Sequence, residues 1–245
     1  MSRIAVAGAT GRLGRHVVDV LAERGHQAVP MSRATGVDVI TREGLAEALT
    51  GAEVVVDVAS WHASDEAEAT EFFRTSSRNL HAAGRQAGVT RIAMASIIGV
   101  DNATAGFLAA KKAHEVELLS GPLEVRVLRA AQFHEFVGQL LDWQAGNDVA
   151  YVPELPTQLV ACRTVAEALV DLALGPAAEG PIPEVAGPRR EILAEAARLL
   201  GARRGVKVVG VDGAGMPDAE LAAAGAFLPG PHAQLAGPTF HEWLA

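Results

Sequence analysis

Residues 1–130 alternate short β-branched runs with longer stretches in which apolar residues recur at helical spacing. This alternation is typical of a parallel sheet covered by helices on both faces. The predicted strands are Arg3–Ala7, Gln27–Met31, Val37–Ile40, Glu53–Val58, Arg91–Ala95 and Glu124–Leu128. The predicted helices are Leu13–Arg24, Arg42–Leu49, Glu66–Ala87 and Ala105–Leu119. The pattern therefore predicts an α/β protein with a Rossmann-type, doubly wound parallel sheet.

The pattern loosens after Arg129, because prolines break the chain into short pieces. Two further helices, Val165–Leu174 and Arg190–Leu200, are predicted there. A strand at Val206–Val211 would extend the edge of the sheet, and the last stretch reads mostly as loop. We expect residues 1–130 to form the Rossmann core and residues 131–245 a small C-terminal cap, partly packed into the same domain.

A glycine-rich loop, Gly8-Ala9-Thr10-Gly11-Arg12-Leu13-Gly14, lies between the first predicted strand and the first predicted helix. Gly8 allows a tight turn, Gly11 lets the backbone approach a phosphate, and Gly14 lets the helix pack closely on the sheet. The helix N-terminus adds N–H groups and a partial positive charge. The loop would otherwise be an ordinary turn, but its position predicts a dinucleotide site. The predicted cofactor-binding residues of this loop are Gly8, Thr10, Gly11, Arg12, Leu13 and Gly14.

The residues after the second predicted strand bear on the choice of cofactor. An acidic residue there would accept a hydrogen bond from the ribose 2′-hydroxyl, whereas a basic residue would bind a 2′-phosphate. The chain has Met31-Ser32-Arg33, with no acid. Ser32 and Arg33 therefore favour NADP (NADPH) over NAD. The alternative is that Arg33 is an ordinary solvated loop charge.

These residues resemble the atypical short-chain dehydrogenase/reductase superfamily, specifically its NmrA-like and quinone-oxidoreductase-like NAD(P)-binding proteins. The Gly-Ala-Thr-Gly-x-x-Gly string carries much of the resemblance, which spans roughly residues 3–200. Further support comes from Gly36-Val37-Asp38-Val39, Val56-Asp57-Val58-Ala59, the run from Asn79 to Ile98, and Leu128-Arg129. The resemblance implies that Asp38 and Val39 lie near the adenine and that Ala59 and Ser60 lie near the cofactor's ribose. It also implies that residues after Arg129 line the substrate cleft.

The superfamily's usual tyrosine acid and its lysine, four residues later on one helix, correspond here to Phe107 and Lys111; Glu115 supports this register. Phenylalanine cannot donate a proton, so the usual acid is missing. The resemblance implies that Lys111 holds the nicotinamide ribose, although Lys111 and Lys112 would also suit a solvated helix face. Ser96 is the candidate for the family's serine, unless it is a strand-end cap offset by one residue.

Two histidines would lie at the carboxyl edge of the sheet and are candidates for the missing acid. His62 follows Trp61, and His134 follows Gln132 and Phe133. Either would otherwise be an ordinary loop histidine. The predicted catalytic residues are Ser96, Lys111 and His134. The predicted substrate contacts are Trp61, His62, Phe107, Gln132, Phe133 and His134.

The composition of the chain limits the kinds of partner and site that it can have. The net charge of −8, with scattered basic residues, argues against nucleic acid or an anionic membrane. The lone Cys162 excludes an internal disulfide, and the dispersed histidines predict no metal site. No signal peptide or long apolar run is evident. We therefore expect a cytoplasmic monomer or homodimer that binds a small-molecule substrate.

Three functions remain open from the sequence. The first is an NADP-dependent oxidoreductase acting on a small, planar carbonyl or quinone-like substrate under the cap. The second is a non-catalytic NADP-binding sensor or regulatory protein, which the phenylalanine at position 107 would allow. The third is a non-redox isomerase or lyase that uses bound NADP.

Overall fold

The computed structural model describes residues 1–61, 65–146, 149–176 and 180–245. Its strands are β1 (Arg3–Ala7), β2 (Gln27–Met31), β3 (Val54–Asp57), β4 (Arg91–Ile97), β5 (Glu124–Ala130), β6 (Val149–Pro153), β7 (Pro156–Thr157), β8 (Glu184–Ala186), β9 (Glu191–Ile192), β10 (Lys207–Val211) and β11 (Gln234–Leu235). Its helices are α1 (Arg12–Glu23), α2 (Leu45–Leu49), α3 (Glu66–Ala87), α4 (Gly106–Leu119), α5 (His134–Asp142), α6 (Cys162–Leu174), α7 (Leu193–Arg204), α8 (Ala219–Ala223) and α9 (Phe240–Leu244).

Seven parallel strands form the main sheet in the order β11-β8-β5-β4-β3-β1-β2. The chain moves from β1 outward to β2 and then crosses to β3 on the other side of β1. The strand order therefore reverses between β1 and β3, and open α/β sheets bind ligands beyond the carboxyl ends of the strands at such a point. The predicted α/β fold class with a doubly wound parallel sheet is confirmed.

The strand predicted at Val37–Ile40 is wrong. This segment is a turn, because the Asp38 carboxylate accepts hydrogen bonds from the backbone N–H groups of Ile40 and Thr41, at 2.7 and 3.2 Å. Short side-chain to backbone bonds of this kind compete with strand pairing. Val37 and Val39 are still buried, so their apolar alternation reflects packing of a turn rather than a strand.

The prediction that Val206–Val211 extends the main sheet is also wrong. Strand β10 pairs in parallel with β6 in a separate two-stranded sheet, whereas β8 and β11 continue the main sheet beyond β5. Strands β8 and β11 have only three and two residues, too short to stand out in a hydropathy pattern. The final stretch, expected to be mostly loop, contains the short helices α8 and α9.

The described chain separates into two compact units. Unit 1 comprises Met1–Ser96, Ala105–Leu128 and Val165–Ile182. Its core includes buried residues of the sheet and of α2, α3 and α4, among them Ala5, Val55 and Leu80. The late segment is fixed to the rest of unit 1 by Arg126, whose guanidinium donates to the carbonyls of Leu172 and Gly175 at 2.9 and 2.6 Å.

Unit 2 comprises Ile97–Thr104, Arg129–Thr164 and Pro183–Ala245. Its core gathers apolar side chains from α5, β6, α7 and α9. Val137, Val152, Ala194 and Phe240 are completely buried within it.

Candidate functional site

The register of the parallel strands brings several loops of unit 1 to one edge of the sheet. Ala7 at the end of β1 is paired with Met31 of β2 and with Asp57 of β3, and Asp57 is paired with Met94 of β4. The residues that follow these positions therefore leave the sheet side by side. Most of the sequence-predicted cofactor residues follow β1, β2 and β3, so the structure places them on this edge.

The glycine loop is packed too tightly for side chains at two of its positions. Gly8 has a φ of +80°, and a Cβ there would lie 2.7 Å from the backbone nitrogen of Ala59. A Cβ on Gly14 would lie 2.8 Å from the Cα of Ala9. The Gly8 N–H donates to the Met31 carbonyl and the Gly11 N–H to the Gly8 carbonyl, both at 2.9 Å. The loop is thus a fixed backbone cradle formed against β2 and the residue after β3.

Helix α1 begins directly from this cradle without a side-chain cap. Its N-cap residue is Gly11, and its first turn contains no acidic residue. The first N–H groups of a helix have no partner within the helix, and they carry its positive dipole end. Thr10, Gly11 and Arg12 are exposed, whereas Leu13 and Gly14 are buried. A backbone cradle followed by an uncapped helix fits a pyrophosphate group.

The predicted 2′-phosphate residues lie beyond β2. Ser32 caps a short 3₁₀ turn, and its N–H donates to Thr35 Oγ1 at 2.9 Å. Arg33 is exposed, and its guanidinium carbon lies 5.3 Å from the centre of the Trp61 ring. The Trp61 ring stacks in turn on Phe72, with 5.9 Å between the ring centres. The Arg33 cation thus lies over an aromatic surface formed by Trp61 and Phe72.

The other predicted cofactor contacts occupy two loops of the same unit. The Asp38 carboxylate closes its own turn, and the Val39 carbonyl accepts a hydrogen bond from the Asn79 side chain at 2.8 Å. Ala59 is buried beside Gly8, while Ser60 is exposed. Contact of Asp38 and Val39 with adenine, and of Ala59 and Ser60 with ribose, stays a prediction.

Lys111 is part of a buried polar chain that joins α4 to β3 and β4. Its ammonium donates to the Ala95 carbonyl at 3.1 Å and to His114 Nδ1 at 2.9 Å. His114 Nε2 lies 3.1 Å from the Asp57 carboxylate, which also accepts from the Ala59 N–H at 3.0 Å. This chain of contacts is hereafter called the Asp57–His114–Lys111 network.

Burial governs the ionisation of this network. It lowers the pKa of Lys111 to about 8, against the charges of Asp57 and Glu115, which raise it. Burial and the charge of Lys111 also lower the pKa of His114. Burial raises the pKa of Asp57, but the hydrogen bond from His114 and the charge of Lys111 outweigh it, so that pKa is lowered overall. At neutral pH the network therefore contains a carboxylate, a neutral imidazole and an ammonium.

The remaining predicted residues of unit 1 lie around this network. Ser96 Oγ donates to the Glu115 carboxylate at 2.6 Å, and both side chains are buried. Phe107 is half-buried and packs edge-on against Phe73, with 6.0 Å between ring centres. The Phe73 ring also stacks on His114, at 4.6 Å. The serine hydroxyl thus has a carboxylate partner, and position 107 presents an aromatic edge.

The predicted residues after β5 belong to unit 2. His134 is completely buried, donates through Nε2 to the Pro238 carbonyl at 3.1 Å and packs against Phe240. Burial lowers its pKa. Gln132 is exposed and accepts from the Thr157 hydroxyl at 2.8 Å, while Phe133 precedes α5. The catalytic role of His134 stays a prediction, and this packing indicates a structural role. The predicted contact His62 lies outside the described residues.

Asp57 and His114 were not singled out from the sequence as functional residues. Asp57 is the one acidic residue at the end of a strongly apolar strand, which was the available signal. His114 lies three residues after Lys111, a spacing that places two side chains on one helix face. Their contact joins positions 57 residues apart, and only the fold brings it about.

Within the residues that the structure describes, no three His, Cys, Asp or Glu side chains are grouped so as to hold a metal ion. None of the described helices is long and apolar enough to cross a membrane.

Comparison with known proteins supports this fold. Residues 2–101, less than half of the chain, match the family model of the RmlD substrate-binding domain. No curated protein matches the sequence significantly.

Solved structures match over most of the chain. A short-chain dehydrogenase/reductase superfamily protein from Agrobacterium tumefaciens with bound NAD shares 17% identity with this chain. The match covers 99% of this chain and 94% of that protein, with a TM-score of 0.70. The enzyme WbmH of Bordetella bronchiseptica, in complex with NAD⁺, shares 16% identity over 89% and 88% of the two chains, with a TM-score of 0.68. A dTDP-4-dehydrorhamnose reductase from Clostridium acetobutylicum shares 16% over 85% and 83%, with a TM-score of 0.67. The chain therefore has the fold of short-chain dehydrogenase/reductase proteins.

Proposed function

We propose that this protein is an NADP-dependent oxidoreductase of the extended short-chain dehydrogenase/reductase type. The observation that carries the proposal is the cradle from Gly8 to Gly14. There, backbone groups and the uncapped N-terminus of α1, rather than side chains, are available to bind a pyrophosphate. Bound NADPH would supply a hydride to a small carbonyl or quinone-like substrate. The NmrA-like kinship, a cytoplasmic location and a monomeric or dimeric state are part of the same proposal.

The preference for NADP rests on Ser32 and Arg33. Arg33 is exposed at the carboxyl end of β2, where a ribose 2′-phosphate would be recognised. The Trp61 ring lies under the Arg33 guanidinium and leaves its charge unneutralised. The half-buried Ser32 adds a hydroxyl beside it.

Substrate chemistry would depend on residues other than a tyrosine. Lys111 is held at the end of β4 and has a pKa of about 8, which suits a group that holds or releases a proton near neutral pH. Ser96 would polarise a carbonyl only after its hydroxyl turned away from Glu115. Phe107 would contribute an apolar wall.

Titration of NADPH and NADH, followed by tryptophan fluorescence, tests this proposal. We expect NADPH to bind more tightly and Arg33→Ala to weaken NADPH binding about tenfold, the range of a charge-assisted hydrogen bond, with NADH unaffected. Arg85→Ala, which removes an exposed arginine from α3, is the matched control. Equal affinity for both dinucleotides, or unchanged NADPH affinity of Arg33→Ala, contradicts the NADP preference.

A second candidate is a dinucleotide-binding sensor without catalysis. Phe107 in place of an acid, together with the engagement of Ser96 by Glu115, favours it. Consumption of NADPH absorbance should be measured across aldehydes, ketones and quinones. Tight NADPH binding without turnover across such a panel would favour the sensor over the oxidoreductase.

A further inference from the structure

The Asp57–His114–Lys111 network is deeply buried, although the stability of the core does not require charged groups there. The three residues are 0%, 1% and 6% exposed. Burying a carboxylate and an ammonium is costly, and replacing such a pair by apolar side chains is often neutral or stabilising. Perturbed buried ionisable groups also concentrate at functional sites. The network lies at the carboxyl ends of β3 and β4, on the edge that carries the glycine cradle.

Hydrogen-bond chemistry fixes the direction of the network. An ammonium can only donate, so His114 Nδ1 must accept from Lys111. The proton of the neutral imidazole is then on Nε2, which donates to the Asp57 carboxylate. The other carboxylate oxygen accepts from the Ala59 N–H, and the Ala59 backbone is the surface against which Gly8 packs. The charge of Lys111 is therefore connected through two residues to the wall of the cradle.

We propose that Asp57 and His114 are positioning residues that hold the Lys111 ammonium, charged and fixed in orientation, as a hydrogen-bond donor to the dinucleotide. This inference rests on the proposed function. The Ala95 carbonyl and His114 accept from two of the three N–H donors of Lys111, whose nitrogen also lies 4.9 Å from the centre of the Phe73 ring. The third is the one we assign to the bound cofactor. Glu115, which accepts from Ser96, is the other charged group that acts on Lys111.

The sequence makes a direct test possible, because the chain has only three lysines: Lys111, Lys112 and Lys207. Protein labelled with ¹³C at the lysine ε position should give three signals, assigned with Lys112→Arg and Lys207→Arg. We expect the Lys111 signal to titrate near pH 8. Asp57→Asn should lower that midpoint by about one pH unit, because the carboxylate charge raises it. Asp171→Asn removes an exposed carboxylate of unit 1 and should leave it unchanged.

A matched pair at position 114 tests the bridging residue and guards against misfolding of the Asp57 variant. His114→Gln keeps an acceptor for Lys111 and a donor for Asp57, whereas His114→Phe keeps only the stacking on Phe73. We expect the glutamine variant to retain the Lys111 midpoint near its original value and the phenylalanine variant to lower it.

The functional readout is the affinity for NADPH as a function of pH. We expect wild-type affinity to fall as the pH rises through the Lys111 midpoint, and Asp57→Asn to move that fall to lower pH by the same interval. At pH values between the two midpoints, Asp57→Asn would bind NADPH up to about tenfold more weakly than wild type. At a pH well below both midpoints, the two proteins would bind NADPH equally tightly. A purely structural role would weaken binding equally at every pH.

Failure of the proposed function and failure of the positioning role give different results. A wild-type protein that does not bind NADPH overturns the proposed function. The positioning role alone is overturned if wild-type protein binds NADPH but Asp57→Asn and His114→Phe change neither the titration midpoint of Lys111 nor the pH at which NADPH affinity falls.

Discussion

Gly14 illustrates how much of the cradle depends on one missing side chain. Alanine normally stabilises a helix relative to glycine by about 1 kcal/mol. At Gly14, however, the new Cβ would lie 2.8 Å from backbone atoms of Gly8 and Ala9, which cannot move away as a side chain would. We expect Gly14→Ala to lower the free energy of unfolding by about 1–3 kcal/mol and to abolish NADPH binding. Urea denaturation and fluorescence titration measure the two effects.

Gly138→Ala is the control for this prediction. Gly138 is also within a helix, but the nearest atom to its added Cβ is the end of the flexible Arg204 side chain, at 3.0 Å. We expect this variant to be as stable as wild type or more so. Similar destabilisation of both variants would show that the cost is not specific to the cradle.

At the residue scale, the sequence predicts what local spacing determines. The positions of Gly8, Gly11 and Gly14 relative to a strand and a helix were sufficient to predict the cradle. The partners of Lys111 were not predictable, because Asp57 and Ala95 reach it only through strand pairing and the packing of α4.

Helix α3 has a clear local signal for its start. The Asp65 carboxylate accepts from the N–H groups of Ala67 and Glu68, at 2.6 and 3.2 Å. We expect Asp65→Ala to reduce the free energy of unfolding by about 1 kcal/mol, because these N–H groups lose their acceptor. Asp65→Asn retains a side-chain oxygen and should cost much less. Thermal denaturation of the three proteins checks this, and equal loss in both variants would contradict a capping role.

At the element scale, caps and strands differ in how far they can be predicted. The bounds Glu66–Ala87 were predicted correctly, because a capping carboxylate precedes the helix and Gly88, with a φ of +81°, ends it. The strand at Val37–Ile40 was wrong, because the Asp38 side chain competes for the backbone of its own turn. Strands β8 and β11 depend on pairing with distant residues and have almost no local pattern.

For the whole molecule, two buried histidines make stability depend on pH. The pKa values of His114 and His134 lie below the ordinary value of 6.5 in the folded state. As the pH falls below about 6.5, the unfolded chain takes up protons that the folded chain excludes, so stability decreases, by up to about 1.4 kcal/mol per pH unit for each histidine. The lowered pKa of Asp57 extends the loss to more acidic pH, below its ordinary value of 3.8.

Urea denaturation between pH 7 and pH 5 measures this dependence. We expect His114→Gln to make it shallower, because one of the two groups is removed. His232→Gln, at an exposed position, should leave the slope as in wild type. A stability that does not change over this interval would contradict the burial of neutral histidines.

The fold class followed from the sequence, because the alternation of strands and helices is a repeated signal. The sequence did not predict which segments form each unit, because Val165–Ile182 belongs to unit 1 although a long segment of unit 2 precedes it in the chain. Hydropathy indicates that α6 is amphipathic but not which core it covers.

The interleaving of the two units has a consequence for biosynthesis. Arg126 leaves the ribosome well before Leu172 and Gly175, the residues whose carbonyls it binds. The first 128 residues therefore emerge before Val165–Ile182 of their own unit, while residues 129–164 of the other unit are still being translated. Domains that are contiguous in sequence can fold as they emerge, N-terminal first. Here unit 1 is complete only once Val165–Ile182 has been translated, so we expect it to fold after that point rather than as its first 128 residues emerge.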